Sequence, residues 1–198
     1  MKRGRDSSPE TLLVQRPEQL AALTSPLRVE LLELFGIWGP CAVADVARHL
    51  GRSPNSLYYH VRKLCAVGLL EPAGERRSSH RFERLYRVTA DELLLPRRPE
   101  DPRTRALGHK AIDAILRLAG RELKAALDDP GAADDGPRRT LYGRRHQARL
   151  PARALRELNR HLAAIEEVFA AATRRRPRAE RTVAVTVVMS PVPAGRRD

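Results

Sequence analysis

Cysteine is scarce: Cys41 and Cys65 are the only two in 198 residues, too few for a disulfide framework, so a reducing, cytoplasmic setting is expected. Long apolar runs are missing as well. The longest charge-free stretch, Thr182 to Gly195, has 14 residues and two prolines, short of the roughly 20 that a membrane-spanning helix needs. Residues 1 to 10 are polar and lack the basic-then-apolar order of an export signal. The chain has no G-x-x-x-x-G-K-[ST] phosphate loop, no G-x-G-x-x-G, no C-x-x-C and no H-E-x-x-H, so no motif argues for an enzyme. Its six histidines, at 49, 60, 80, 109, 146 and 161, never pair at metal-ligand spacing with an acidic partner on one helix, and neither a metal nor another cofactor is expected. Aromatic residues make up only 4 % of the chain, which makes the adjacent Tyr58 and Tyr59 conspicuous.

What is present begins with charge. Thirty-seven Lys and Arg against 24 Asp and Glu leave a net charge of +13, a balance that favours polyanionic partners, nucleic acid first and an anionic membrane surface second. Part of the excess reflects a composition rich in Arg and Ala. A hydrophobic content of 42 % is enough to build cores, and the length suits one ample domain or two small ones.

Residues 1 to 16 read as a charged tail. From Pro17 the pattern turns helical. Ser25 before Pro26 has the order of an N-cap followed by proline at the first helical position, and Val29, Leu32 and Phe35 recur beside Leu27, Leu31 and Leu34. This helix is expected to stop within Gly36 to Pro40. The next, Ala42 to Leu50, carries Val43, Val46, Ala47 and Leu50 on one face and meets Gly51, a usual C-terminal signal. Ser53-Pro54 then opens a third helix by the same cap-then-proline device. Helix, short glycine-containing turn and helix make a helix-turn-helix.

The third helix lies in "SPNSLYYHVRKLCAVGLLE". Helical spacing buries Leu57, Val61 and Leu64 and leaves Asn55, Ser56, Tyr58, Tyr59, Arg62 and Lys63 on the other side. Those side chains suit DNA. Asn and Ser donate and accept at base edges, Arg grips guanine bidentately, and a tyrosine offers a ring to a thymine methyl and a hydroxyl to phosphate. A short polar first turn, Ser53 included, lets the positive helix tip approach phosphate in the major groove. Beyond Gly68, two short strands joined by the basic loop "PAGERRSSHRF" are expected, with Arg76, Arg77, His80 and Arg81 either tracking a DNA backbone or simply solvated. From Arg48 to Arg87 nine basic residues face three glutamates, a net +6.

These ordered features, "EQLAALTSPLRVELLELF", "VADVARHLGRSPNSLYYHVRKLCAVGLLE" and "GERRSSHRFERLYRVTA", resemble the winged helix-turn-helix domain of ArsR-like bacterial transcriptional regulators over residues 17 to 95. The resemblance implies base contacts from Asn55, Ser56, Tyr58 and Tyr59, with Arg62, His60 and the basic residues of the hairpin near the backbone. For His60 a packed and a phosphate-facing role stand equally open. One departure matters. Arsenic- and cadmium-sensing members of that family carry C-V-C-D-L before the turn, where this chain has Ala42-Val43-Ala44-Asp45-Val46, so both thiolates are missing. Cys41 lies just outside the motif, and Cys65 fits a small core residue.

The second half is less defined. "PRRPEDP", residues 96 to 102, reads as a linker. Residues 103 to 127 form an amphipathic helix with Ile112, Ile115, Ala119 and Leu123 on one stripe, expected to join two subunits as the helix after the wing does in the regulators it resembles. An acidic loop, Asp128 to Pro137, precedes an expected C-terminal α/β module over 138 to 190. It comprises a strand at Thr140 to Leu150, a helix at Pro151 to Thr173 and a buried β-branched strand, "TVAVTVVM", at 182 to 189, followed by a tail over 191 to 198. Leu155, Leu158, Leu162, Ile165, Phe169 and Ala172 alternate at spacings of three and four, as a coiled-coil seam does. Tyr142, Arg144 and His146 would alternate onto one strand face and line a small-molecule effector pocket.

The fold class read from this pattern is α+β. Residues 1 to 95 carry a net +3 and residues 96 to 198 a net +10; the second excess fits contact with DNA or RNA, an anionic effector, or a solvated helix end at Arg174 to Arg176. The leading function is a homodimeric, sequence-specific regulator that binds double-stranded DNA and represses. The alternative is a general nucleic-acid-binding or architectural protein with little sequence preference. An enzyme in the second half, using Tyr142 or His146, stands third.

Overall fold

The structure is a computed structural model and describes residues 11–78, 81–175 and 181–192. Its elements are β1 (Thr11–Leu13), α1 (Pro17–Leu23), α2 (Pro26–Trp38), β2 (Cys41–Ala42), α3 (Val43–His49), α4 (Pro54–Ala66), β3 (Leu70–Ser78), β4 (Arg81–Val88), β5 (Glu92–Leu94), α5 (Pro102–Leu127) and α6 (Ala152–Arg175). Six helices and two small sheets, the three-stranded one antiparallel, make an α+β pattern among the described residues.

Glycines set the two turns that matter most. At the end of α3, Gly51 takes φ +61°, its N–H bonds Arg48 O at 3.3 Å, and Arg52 N–H bonds Ala47 O at 2.8 Å. That pair of bonds is a Schellman motif, which satisfies the last carbonyls of α3 and turns the chain into α4. The same motif closes α4. Gly68 has φ +72°, and the Gly68 and Leu69 N–H groups bond Cys65 O and Leu64 O, each at 3.0 Å. Leu69 and Leu70 are thereby delivered into the core, where β3 starts.

The core gathers Val14, Leu20, Leu31, Phe35, Val43, Val46, Leu57, Val61, Leu64, Leu69 and Leu70, all fully enclosed. Burying each of the larger aliphatic side chains contributes about 1.5–3 kcal/mol. Phe35 meets the Tyr86 ring edge-on at 6.3 Å, tying α2 to β4. The sheet beneath has strand order β2-β4-β3, all antiparallel. A register shift between Pro72 and Glu75, with Gly74 at φ +102°, is a bulge that twists the outer half of the hairpin.

Several sequence expectations are corrected. Residues 11 to 16 are not a tail: β1 pairs in parallel with β5 in the register Thr11↔Glu92, Leu12↔Leu93 and Leu13↔Leu94, and Val14 is buried. Three alternating residues are too short a signal to read, and the partner strand lies some 80 positions away. Residues 1 to 10 and 193 to 198 lie outside the described residues. The expected α/β module does not form, because neither 140–150 nor 182–189 is a strand. A lone strand leaves its backbone groups unpaired, and these two segments do not pair with each other. Val183, Val185, Val187 and Val188 are all more than 40 % exposed. The strands of the hairpin are also longer than expected, so Arg76, Arg77 and Arg81 sit on strands rather than in a loop.

Helix α5 starts with Asp101 accepting hydrogen bonds from the Thr104 N–H at 2.7 Å and the Thr104 hydroxyl at 2.5 Å. It lays Thr104, Gly108, Ala111, Ala114 and Leu118 against α1 and α2, and Arg121 pairs with Glu30 of α2 at 3.1 Å. Ile115 packs on this same core instead of on the expected dimer stripe. Ile112 and Leu123 remain exposed, joined by Leu116 and Leu127, which share their side of the helix at 100° per residue.

Candidate nucleic-acid interface

Helix α4 is held by Leu57, Val61 and Leu64, each fully buried, so its opposite face is fixed in orientation. Asn55, Tyr58, Tyr59, Arg62 and Lys63 all lie on that exposed side. Tyr58 is 40 % and Tyr59 57 % exposed, an apolar display that an ordinary solvated helix face does not need. Lys63 places its ammonium 5.2 Å from the Tyr59 ring centroid, and Arg62 Nε reaches Tyr58 O at 3.4 Å. These contacts orient the side chains along α4 without taking them out of solvent.

The first turn is equally open. Ser53 occupies the N-cap with Pro54 following, but its hydroxyl makes no capping bond. Ser56 Oγ instead donates to Ser53 O at 2.6 Å. The Ser53 hydroxyl therefore stays available to an external acceptor at the positive end of the helix.

His60 does not join the exposed set. Its ring is half-buried beside Tyr59, 5.4 Å between centroids, and the enclosed Nδ1 has no hydrogen-bond partner. Burial, followed by the positive charges of Arg28 and Arg52, pushes its pKa down, which keeps the imidazole neutral at pH 7. Of the two roles open for His60, the enclosed Nδ1 fits the packed one.

The hairpin splits its basic residues between structure and surface. Arg76 pairs with Asp45 of α3 at 2.9 Å and with Glu83 of β4 at 2.7 Å, clamping β3 and β4 to α3. Burial raises the Asp45 carboxyl, but the Arg76 hydrogen bond, the Ala42 N–H and the Arg76 and Arg48 charges outweigh it and hold the pKa low. Arg77 is exposed opposite Phe82 on β4. His80 and the side chain of Arg81 lie outside the described residues. Phe82 is 71 % exposed near the far end of the hairpin and was missed in the sequence. Its signal was legible there: an aromatic residue inside a run of charges, in a chain nearly devoid of aromatics.

Chemistry at the remaining candidates is limited. Burial, with Asp45 adding to it against Arg76, pushes the Cys41 thiol up to about 12, so it remains protonated at neutral pH. Burial also raises Cys65. Among the described residues no group of three or more His, Cys, Asp or Glu is arranged to hold a metal ion, and no helix is long and apolar enough to cross a membrane. Tyr142, Arg144 and His146 lie exposed on an irregular segment, and Tyr142 lies 4.5 Å under the Arg139 guanidinium. Without a strand they do not share the strand face expected of them.

A family model described as a helix-turn-helix domain matches residues 23–73, the span from the end of α1 through α2, α3 and α4 to the start of β3. This agrees with the glycine-set turn and the exposed face of α4, and it supports DNA binding in a transcriptional regulator. No curated protein matches the chain.

Proposed function

We propose that the protein is a homodimeric, sequence-specific transcriptional repressor of the ArsR-like winged helix-turn-helix type, with α4 as recognition helix, the β3–β4 hairpin as wing and α5 as dimerisation helix. The observation that carries this reading is the exposed set Asn55, Tyr58, Tyr59 and Arg62 on a helix anchored by three fully buried residues. Rigid anchoring gives the base-reading groups one orientation, which sequence discrimination needs. The exposed stripe Ile112, Leu116, Leu123 and Leu127 on α5 supports a two-fold dimer, whose paired recognition helices would read half-sites about one helical turn apart.

The test is fluorescence anisotropy on DNA from upstream of the protein's own gene, beside a shuffled duplex of equal length, over a salt series. A preference of about a thousandfold at physiological salt is expected. In Tyr59→Ala/Arg62→Ala that preference should disappear while the fold persists. Equal binding of both duplexes by the wild type, collapsing together as salt rises, would replace this reading with the architectural one.

A further inference from the structure

A long block of positive charge lies outside the helix-turn-helix. Residues 138 to 160 hold eight arginines and one glutamate, a net +7 in 23 positions. Every one of these arginines is exposed, and within the described residues only Arg160 has a carboxylate partner, Glu157 at 3.8 Å. The acidic loop just before them does not neutralise them. Its Asp129 pairs instead with Arg181 at 2.7 Å, and the loop closes on itself through Thr140 and Leu141 N–H to Ala133 O.

Two further features point to an anionic partner. Arg153, Arg156 and Arg160 crowd the first turns of α6, which has no acidic residue in its first turn. Cations at the positive end of a helix dipole disfavour the free helix, and an anion placed there reverses the sign. All three also lie away from the Leu155, Leu158, Leu162 and Ile165 stripe, so pairing of that stripe would leave them outward. From Tyr142 to Leu150 the backbone makes no hydrogen bond to backbone elsewhere within the described residues, leaving N–H groups free for phosphate oxygens.

We propose that residues 138–160 are a second DNA-contacting surface, an arginine arm that follows the phosphate backbone of duplex DNA flanking the site bound by α4. It rests on the DNA-binding reading above and adds a partner for the basic second half. A Cβ added to Gly143 would sit 3.7 Å from the Leu123 side chain, so the arm leaves from the end of α5. Extended, Tyr142 to Leu150 reaches about 30 Å, close to one turn of duplex, about 34–36 Å. Duplex DNA is favoured over a membrane surface because Glu157 and Glu167 interrupt the polar face of α6, and an anionic bilayer would repel them.

The experiment compares full-length wild type, an arm variant with Arg138, Arg139, Arg144, Arg145 and Arg149 all changed to Gln, the same five changed to Lys, and Tyr59→Ala/Arg62→Ala. Binding is measured between 50 and 200 mM salt on random-sequence duplexes of 20 and 40 base pairs. Each engaged arginine adds about 0.9 to the salt slope, so with all five engaged the wild type loses about 500-fold more affinity over this range than the Gln variant. The expected result is a loss with Gln, greater on the longer duplex, and rescue by Lys. Unchanged slopes in the Gln variant would overturn the arm while leaving the α4 reading intact, and no duplex binding by wild type would overturn both. Arm-dependent binding that is stronger to double-stranded RNA, or to phosphatidylglycerol vesicles, than to the 40-base-pair duplex would also overturn it.

Discussion

The same substitution, glycine to alanine, should change stability in opposite directions at Gly51 and Gly120. Gly51 sits between α3 and α4 at φ +61°, and a Cβ there meets nothing within 4 Å. The cost of Gly51→Ala is therefore conformational alone, about 1–2 kcal/mol for forcing an L-residue into the left-handed region. Gly120 lies inside α5, is exposed, and also has open space around an added Cβ. There Gly120→Ala removes unfolded-state freedom at no steric cost and stabilises by roughly 0.5–1 kcal/mol. For a chain of this length each kcal/mol moves Tm by about 2–4 °C. Thermal melts and urea titrations with an unchanged m-value should thus show Gly51→Ala lower by about 2–8 °C and Gly120→Ala higher by about 1–4 °C. Because Gly51 sets the angle at which α4 leaves α3, the first variant should also lose affinity for an operator at temperatures where it is fully folded. Shifts of the same sign in both variants would refute the turn geometry described above.

Protonating His60 opposes the fold, since its folded pKa lies below the ordinary 6.5. The His60 contribution, read as the difference between wild type and His60→Gln in pH-dependent denaturation, should be constant above pH 6.5 and turn against the wild type as pH falls below it. Leu116→Arg/Leu123→Arg places two charges on the exposed side of α5 and should convert a dimer to monomer in sedimentation with little change in Tm; a dimer that persists would move the interface elsewhere. Arg76→Ala should loosen the hairpin, read as lost hydrogen-exchange protection in β3 and β4. Arg77→Ala and Phe82→Ala, which remove exposed groups, should leave protection intact and weaken DNA binding by about tenfold each.

Local signals carried most of the DNA-facing half. Proline after serine marks the starts of α2 and α4, glycine after the last helical turn marks the ends of α3 and α4, and apolar spacing identifies Leu57, Val61 and Leu64 as the buried face. Each depends on residues within one or two turns of the chain, so the exposed set on α4 could be read without knowing what packs against it. Partnership between distant residues could not. Whether Arg76 faces DNA or Asp45 depends on where α3 lies beneath the hairpin. Whether Ile115 faces a second subunit or its own core depends on where α5 settles on α1 and α2. The parallel pairing of Thr11–Leu13 with Glu92–Leu94 has no local signature at all. The reverse error arose at 140–150 and 182–189, where strand-forming composition met no partner strand. A helix satisfies its backbone within itself and is written in nearby residues, whereas a strand exists only through a neighbour that tertiary structure must supply.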